Sequence, residues 1–206
     1  MSISITLIII AATVLISIQG INNQDFMYKW SFSPYDVKHH KVYYKFLSHM
    51  FVHADWTHLL FNMLSFYMFG SFFETELILK YGLILGSAHF LVLYFLGGFI
   101  ATFWPMIRNQ DNSRCTSVGA SGAVSSIIFA VILWMPTMKM GLIFLPIPIP
   151  AYIFGPLYLA FEFWAFKRGK SNIAHDAHIG GAIFGIVYVL IINIDKGKEF
   201  FSVIFN

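Results

Sequence analysis

The chain has 206 residues, of which 58% are hydrophobic, 18% aromatic and only 11% charged, with a mean hydropathy of +0.70. A water-soluble domain cannot hide that much apolar surface, so the composition reads as a polytopic membrane protein. The formal net charge of +3 is too small to suggest a nucleic-acid partner, and the single Cys115 excludes an internal disulfide and argues against a cysteine-based metal site.

A spanning helix needs about 20 mostly apolar residues. The first expected span is Ile3 to Ile18. It has no basic leader, and Gln19-Gly20-Ile21-Asn22-Asn23 is not a small-residue cleavage site, so a retained helix is expected and not a signal peptide. From Asn22 to Thr57 charges, histidines and aromatics mix (Trp30, Tyr35, His39, His40, Tyr43), as in a segment lying at the headgroup level. The second span is expected over His58 to Phe73, ending at Glu74, and the third over Gly82 to Trp104, stopping at Pro105. A polar connection, Arg108 to Ser117, leads to a fourth span, Val118 to Met135, closed by Pro136.

The prolines at 146, 148 and 150 cannot sit in a helix interior, so Leu142 to Ile149 is expected to be extended. Pro150 suits the first residue of a fifth helix, Ala151 to Phe166, with a kink at Pro156. The sixth span is Ala177 to Ile194, followed by a charged tail, Asp195 to Glu199. With no internal repeat or low-complexity linker, the expectation is an all-α membrane protein: one domain over residues 1–206, six transmembrane helices and an interfacial first loop. Counting basic residues in the loops gives nine on one side (Lys29, Lys38, Lys41, Lys45, Arg108, Arg114, Lys167, Arg168, Lys170) against four on the other (Lys80, Lys139, Lys196, Lys198). By the positive-inside rule, that places the N-terminus outside.

Polar groups inside spans are costly, so each invites a functional question. Ser121 lies between glycines in Gly119-Ala120-Ser121-Gly122, at the start of an apolar run. In the first turn of a helix, unpaired N–H groups and the positive dipole end would stabilise charge on a reacting oxygen. Taken alone, such small residues at a helix start in a membrane protein are usually there for close packing. His58 and Asn62, four apart on one face, can donate to an oxyanion or merely glue helices together. His178, Gly181 and Gly185 form one stripe, and the two glycines let another helix backbone approach closely. If that partner is the fourth span, His178 meets Ser121 and can take its proton.

A metal site built from His53, His58, His175 and His178 is not expected, although a His175/His178 pair at i, i+3 is geometrically possible. His53 and His58 do not share a helical face, and the paired histidines with an intervening glutamate found in zinc proteases are missing. His89 reads as a packing histidine, Cys115 as incidental, and Glu162 as a packing residue whose partner the sequence does not name.

Three elements stand in order: His53-x4-His58-x3-Asn62, Gly119-Ala120-Ser121-Gly122, and Ala177-His178-x2-Gly181-x3-Gly185. Together they resemble the rhomboid family of intramembrane serine proteases, over nearly the whole chain. The resemblance implies Ser121 as nucleophile and His178 as general base, a dyad with no aspartate. It implies that His58 and Asn62 line the oxyanion hole with the Ser121 N–H. It gives Gly119 the nucleophile turn, Gly181 and Gly185 the packing of the sixth helix on the fourth, and His53 and Glu74 structural roles. The implied substrates are transmembrane segments of other membrane proteins, cut near the outer face of the bilayer, with lipid as surroundings and no metal or organic cofactor. The chain departs from the family at Tyr44-Lys45, where Trp-Arg is common, and at Ser125, where an aromatic often stacks on the base. The family places the N-terminus inside, against the charge count. The expected location is a bacterial plasma membrane. Two other classes fit parts of the pattern: a catalytically silent relative that holds transmembrane helices, and a small transporter, which buried histidines and a broken helix would suit but the lack of repeats does not.

Overall fold

In the computed structural model, which describes residues 4–142, 145–169 and 174–205, the first apolar run forms α1 (Ile5–Asn22). It ends at extended Asn23, whose side chain accepts from Phe26 N–H at 3.0 Å and so caps α2 (Gln24–Trp30). The α3 helix (Pro34–His40) has Ser33 as its cap and proline at its first position, and it stops at left-handed Lys41. With α4 (Lys45–Ser48) and a 3₁₀ turn at His49–Phe51, these short helices make the first loop. Ile3, Lys170 and positions 143–144 of the extended segment lie outside the described residues.

The second apolar run is longer than expected. The α5 helix (Trp56–Ser65) passes through a π turn at Phe66–Gly70 into α6 (Ser71–Tyr81), which ends at Gly82 with φ +81°. Glu74 therefore sits inside a helix and does not end one. Its buried carboxylate accepts from Ser4 Oγ (2.8 Å), Ile5 N–H (2.7 Å), Thr6 N–H (3.0 Å) and Thr6 Oγ (2.7 Å). A charge held at the positive end of α1 is stabilised there, which is why the helix can carry it.

Next come α7 (Leu83–Ala101) and α8 (Phe103–Asn109). Pro105 does not stop this run. It falls in the first turn of α8, where a missing N–H breaks no ladder bond. In α9 (Ser121–Trp134) every residue except Ser121 and Ile128 is buried, as expected of a helix that is apolar on all sides. The alternating prolines lie in a hairpin, β1 (Lys139–Leu142) against β2 (Leu145–Pro150), paired Lys139 to Pro150, Met140 to Ile149 and Leu142 to Leu145. Their spacing puts the missing N–H groups on one edge of the strand.

Pro150 caps α10 (Ala151–Arg168) and is not its first residue; the helix runs on past Pro156 as one element. After α11 (His175–Ile192), the expected charged tail is a helix, α12 (Asp195–Phe205). Its charges pair along the helix as Lys196–Glu199 and Lys198–Asp195, while Phe200 packs against the core and Lys196 lies over the Trp134 ring. The fold is thus mostly helical. Among the described residues, three helices are long and apolar enough to cross a membrane: Ile5–Asn22, Leu83–Asn109 and His175–Ile192, with mean hydropathies of 2.1, 2.0 and 1.6.

The core is built on α9, which packs most extensively on α11 and then on α7. Glycine makes the first contact possible. A Cβ at Gly181 would collide with the Gly122 carbonyl, and one at Gly185 with the Ser126 carbonyl. The two backbones touch because neither position carries a side chain.

Candidate active site

Ser121 is the first residue of α9, and the first bond of the helical ladder runs from Val124 N–H to Ala120 O at 2.9 Å. The N–H groups of the opening turn therefore lie at the positive end of the dipole, beside the Ser121 hydroxyl. The segment leading into it is held by the first loop. Phe32 and Ser117 exchange both backbone bonds at 2.9 Å, Gly119 N–H donates to His49 O at 2.9 Å, and Ala120 N–H donates to His53 Nε2 at 3.3 Å.

The His53 ring is buried, and its bonds fix its tautomer. Since Nε2 accepts, Nδ1 carries the proton and donates to Ser17 Oγ at 2.9 Å; Ser17 in turn donates to Phe51 O at 2.9 Å. Burial, reinforced by His58 and His49 nearby, pushes the His53 pKa down to about 3, so the ring stays neutral. A relay thus runs from α1 through His53 to the residue preceding Ser121.

The first loop has its own anchor. Lys45 Nζ pairs with Asp36 at 2.8 Å, donates to Tyr28 O at 2.9 Å and lies over the Tyr28 ring. Burial raises the Asp36 carboxyl, but the bond and charge of Lys45 outweigh it and hold the pKa below the usual value. The lysine at this position therefore ties the loop down by itself.

His58 and Asn62 project from α5, whose start is fixed by Asp55 accepting from His58 N–H at 2.8 Å. Asn62 Nδ2 donates to His58 O at 3.0 Å. The His58 ring lies against Gly119: a Cβ there would stand 2.7 Å from His58 Cε1, and the residue has φ +109°. Glycine is required at 119 on both counts.

One cavity of about 910 Å³ is lined by Ser121, His58, Asn62 and His178, with Asp55, Arg108, Cys115, His175 and Asp176 at its walls. Burial pushes the Cys115 thiol up, away from a reactive thiolate. Arg108 of α8 faces Asp176 of α11 at 3.6 Å across this region. Ser121, His58, Asn62 and His178 are thus brought together, with Gly119, Gly181, Gly185 and His53 around them. Glu74 stands apart, at the start of α1. Among the described residues no hydrogen bond joins Ser121 to His178. His89 bonds the Tyr188 hydroxyl at 2.9 Å and packs on Tyr81, away from the cavity, as a packing residue does.

One residue of the site has no signature in the sequence. Glu162 of α10 is buried, with Oε1 3.1 Å from His178 Nδ1 and Oε2 2.6 Å from His175 Nδ1. A lone glutamate in an apolar helix follows no motif. The sole hint was the cost of leaving it unpartnered.

Residues 40–194 match the family described as "Rhomboid domain". "Presenilin-associated rhomboid-like protein A, mitochondrial" of Danio rerio is 31% identical over 141 residues, covering 68% of this chain and 35% of the relative. "RHOMBOID-like protein 12, mitochondrial" of Arabidopsis thaliana is 30% identical over 186 residues, covering 85% and 54%. "Rhomboid protein 1, mitochondrial" of Saccharomyces cerevisiae is 28% identical over 146 residues, covering 67% and 38%. The chain therefore spans between about a third and a half of the length of these relatives. The expectation of a bacterial plasma membrane is overturned by them, since each is named as a mitochondrial protein; the membrane character stands.

Proposed function

We propose, since the chain belongs to the rhomboid family, that it is an intramembrane serine endopeptidase cutting transmembrane segments of other membrane proteins. The observation that carries this reading is the close packing of α9 on α11, which sets Ser121 at a helix start and His178 on the facing helix, both on one cavity with His58 and Asn62. Ser121 attacks the substrate carbonyl as His178 takes its proton. His178 then protonates the leaving amine, and water clears the acyl-enzyme. His58, Asn62 and the Ser121 N–H hold the developing oxyanion, each donor being worth roughly 2.7–4 kcal/mol at the transition state. His53, Gly119, Gly181, Gly185 and Glu74 hold the frame. The spans are six, formed by α1, α5 with α6, α7, α9, α10 and α11, in a single domain. A mitochondrial membrane is its place, after the relatives' names.

The test is incubation of the purified protein in detergent with a model transmembrane substrate, beside Ser121→Ala. Cleavage by the first and none by the second is expected; equal cleavage by both removes the reading. A second reading, a silent protein that binds transmembrane helices, is favoured by the missing Ser121–His178 bond, although such bonds are often long before substrate arrives. A fluorophosphonate that labels Ser121 separates the two.

A further inference from the structure

The mechanism above leaves Glu162 without a task. Its two carboxylate oxygens face two imidazoles, His178 Nδ1 at 3.1 Å and His175 Nδ1 at 2.6 Å. Tyr158, one turn earlier on α10, reaches the same carboxylate and also Ser125. An ionised carboxylate can only accept, so both rings present N–H at Nδ1. In neutral His178 the lone pair then sits at Nε2, the atom that must receive the serine proton. Ser125, one turn after Ser121, is too small to cover an imidazole; the group that holds this ring comes from α10 instead.

We infer that Glu162 is a positioning residue for the Ser121–His178 pair, fixing the tautomer and orientation of His178 and stabilising its charged form during turnover. This rests on the endopeptidase reading. As the bond from Ser121 Oγ to the substrate carbon forms, the hydroxyl proton passes to His178 Nε2, and it leaves from the same nitrogen with the amine when the peptide C–N bond breaks. Glu162 remains ionised throughout and takes no proton. The arrangement is made through space by three helices, since Glu162 lies on α10, both histidines on the first turn of α11, and Ser121 at the start of α9.

A purely structural role for the same contacts would be to tie α10 to α11. Substitutions separate the two roles. Glutamine has the size of glutamate but offers one acceptor and one NH₂ donor, so it opposes one of the two Nδ1–H groups and inverts a tautomer. Aspartate keeps the charge and both acceptors, with shorter reach. A packing role ranks glutamine above aspartate; a positioning role ranks aspartate above glutamine.

The experiment compares wild type, Ser121→Ala, Glu162→Gln and Glu162→Asp in detergent, with a transmembrane substrate, each corrected for folded sites by thermal melting and by the final stoichiometry of fluorophosphonate labelling. Expected for Glu162→Gln is a fall in kcat on the order of tenfold to a thousandfold with KM within about twofold, slower labelling to the same end point, and partial recovery in Glu162→Asp. Wild-type kcat per labelled site in Glu162→Gln, or glutamine outperforming aspartate, overturns the inference while leaving the protease reading intact. A wild type that neither cleaves nor labels overturns both. Glu162, His175 and His178 also bring ligand atoms within 4.8 Å of one another. A chelator is expected to leave turnover unchanged; loss on chelation with recovery on adding zinc overturns the inference in favour of a bound metal.

Discussion

Gly119 is squeezed between its backbone and a neighbour: its φ of +109° suits no L side chain, and the His58 ring fills the space a Cβ would need. Gly119→Ala is expected to lower stability by about 1–3 kcal/mol and to displace His58, read as a lower melting temperature in detergent and a lower kcat. His53 supplies a pH dependence. Its folded pKa, held by burial at about 3, is below the ordinary 6.5, so the unfolded chain binds the extra proton first as acid is added. Its contribution is complete above pH 6.5 and is lost as pH falls from there toward 3, a range worth on the order of 3–5 kcal/mol for one group. Buried His49, pushed down to about 4, acts in the same direction. Melting temperature should therefore drop as pH is taken from 7 to 4.5, and His53→Gln, which cannot titrate, should flatten that slope. A slope unchanged in that variant would count against His53 as its source. The grouping of Ser121, His178 and the His58–Asn62 pair around one cavity was legible because these three elements lie near the starts of three different apolar runs. Glu162 and Ser17 were not, because their partners are reached only by folding and neither belongs to a spaced motif.

Two helix contacts decide what can move. The α9–α11 pair has no slack, since a methyl group at 181 or 185 meets a carbonyl of α9. Gly181→Ala is expected to cost about 1–3 kcal/mol in thermal unfolding and to abolish most turnover, because His178 lies one turn from the wedge. The α10 helix is different. It enters from a proline-bearing strand and packs on α9 and α11. Joining α10 to α5 by a short cross-link is expected to stop cleavage of transmembrane substrates while a small serine reagent still labels Ser121; undiminished cleavage would show that entry lies elsewhere. Element by element, the runs of apolar residues marked the helices well. They misjudged the ends at Glu74 and Pro105, where a four-bond acceptor site and a first-turn position made tolerable what looks like a terminator. The tail after Asn193 read as charged because Asp195, Lys196, Lys198 and Glu199 come first, ahead of the apolar Phe200, Phe201, Val203, Ile204 and Phe205 that complete the helix.

Across the whole molecule, location was the least legible property. Nothing in hydropathy distinguishes one membrane from another, and only likeness to proteins named as mitochondrial bears on it. Loop charge gave an orientation opposite to that implied by family resemblance; part of the excess is spent locally, as with Lys45 on Asp36 and Lys38 on Asp111. The region shared with the family begins at residue 40, yet the hydroxyl of Ser17 belongs to the chain of bonds that reaches Ala120. Glu74 fastens the other end of α1 to the bundle. A protein nicked between Asn22 and Asn23 is expected to keep its shared region whole and still fall silent once the severed helix is washed away, and to regain cleavage when that helix is supplied separately. The first helix would then be a detachable subunit in all but covalent linkage, and shedding it a way to extinguish the proposed activity from outside the region shared with the family.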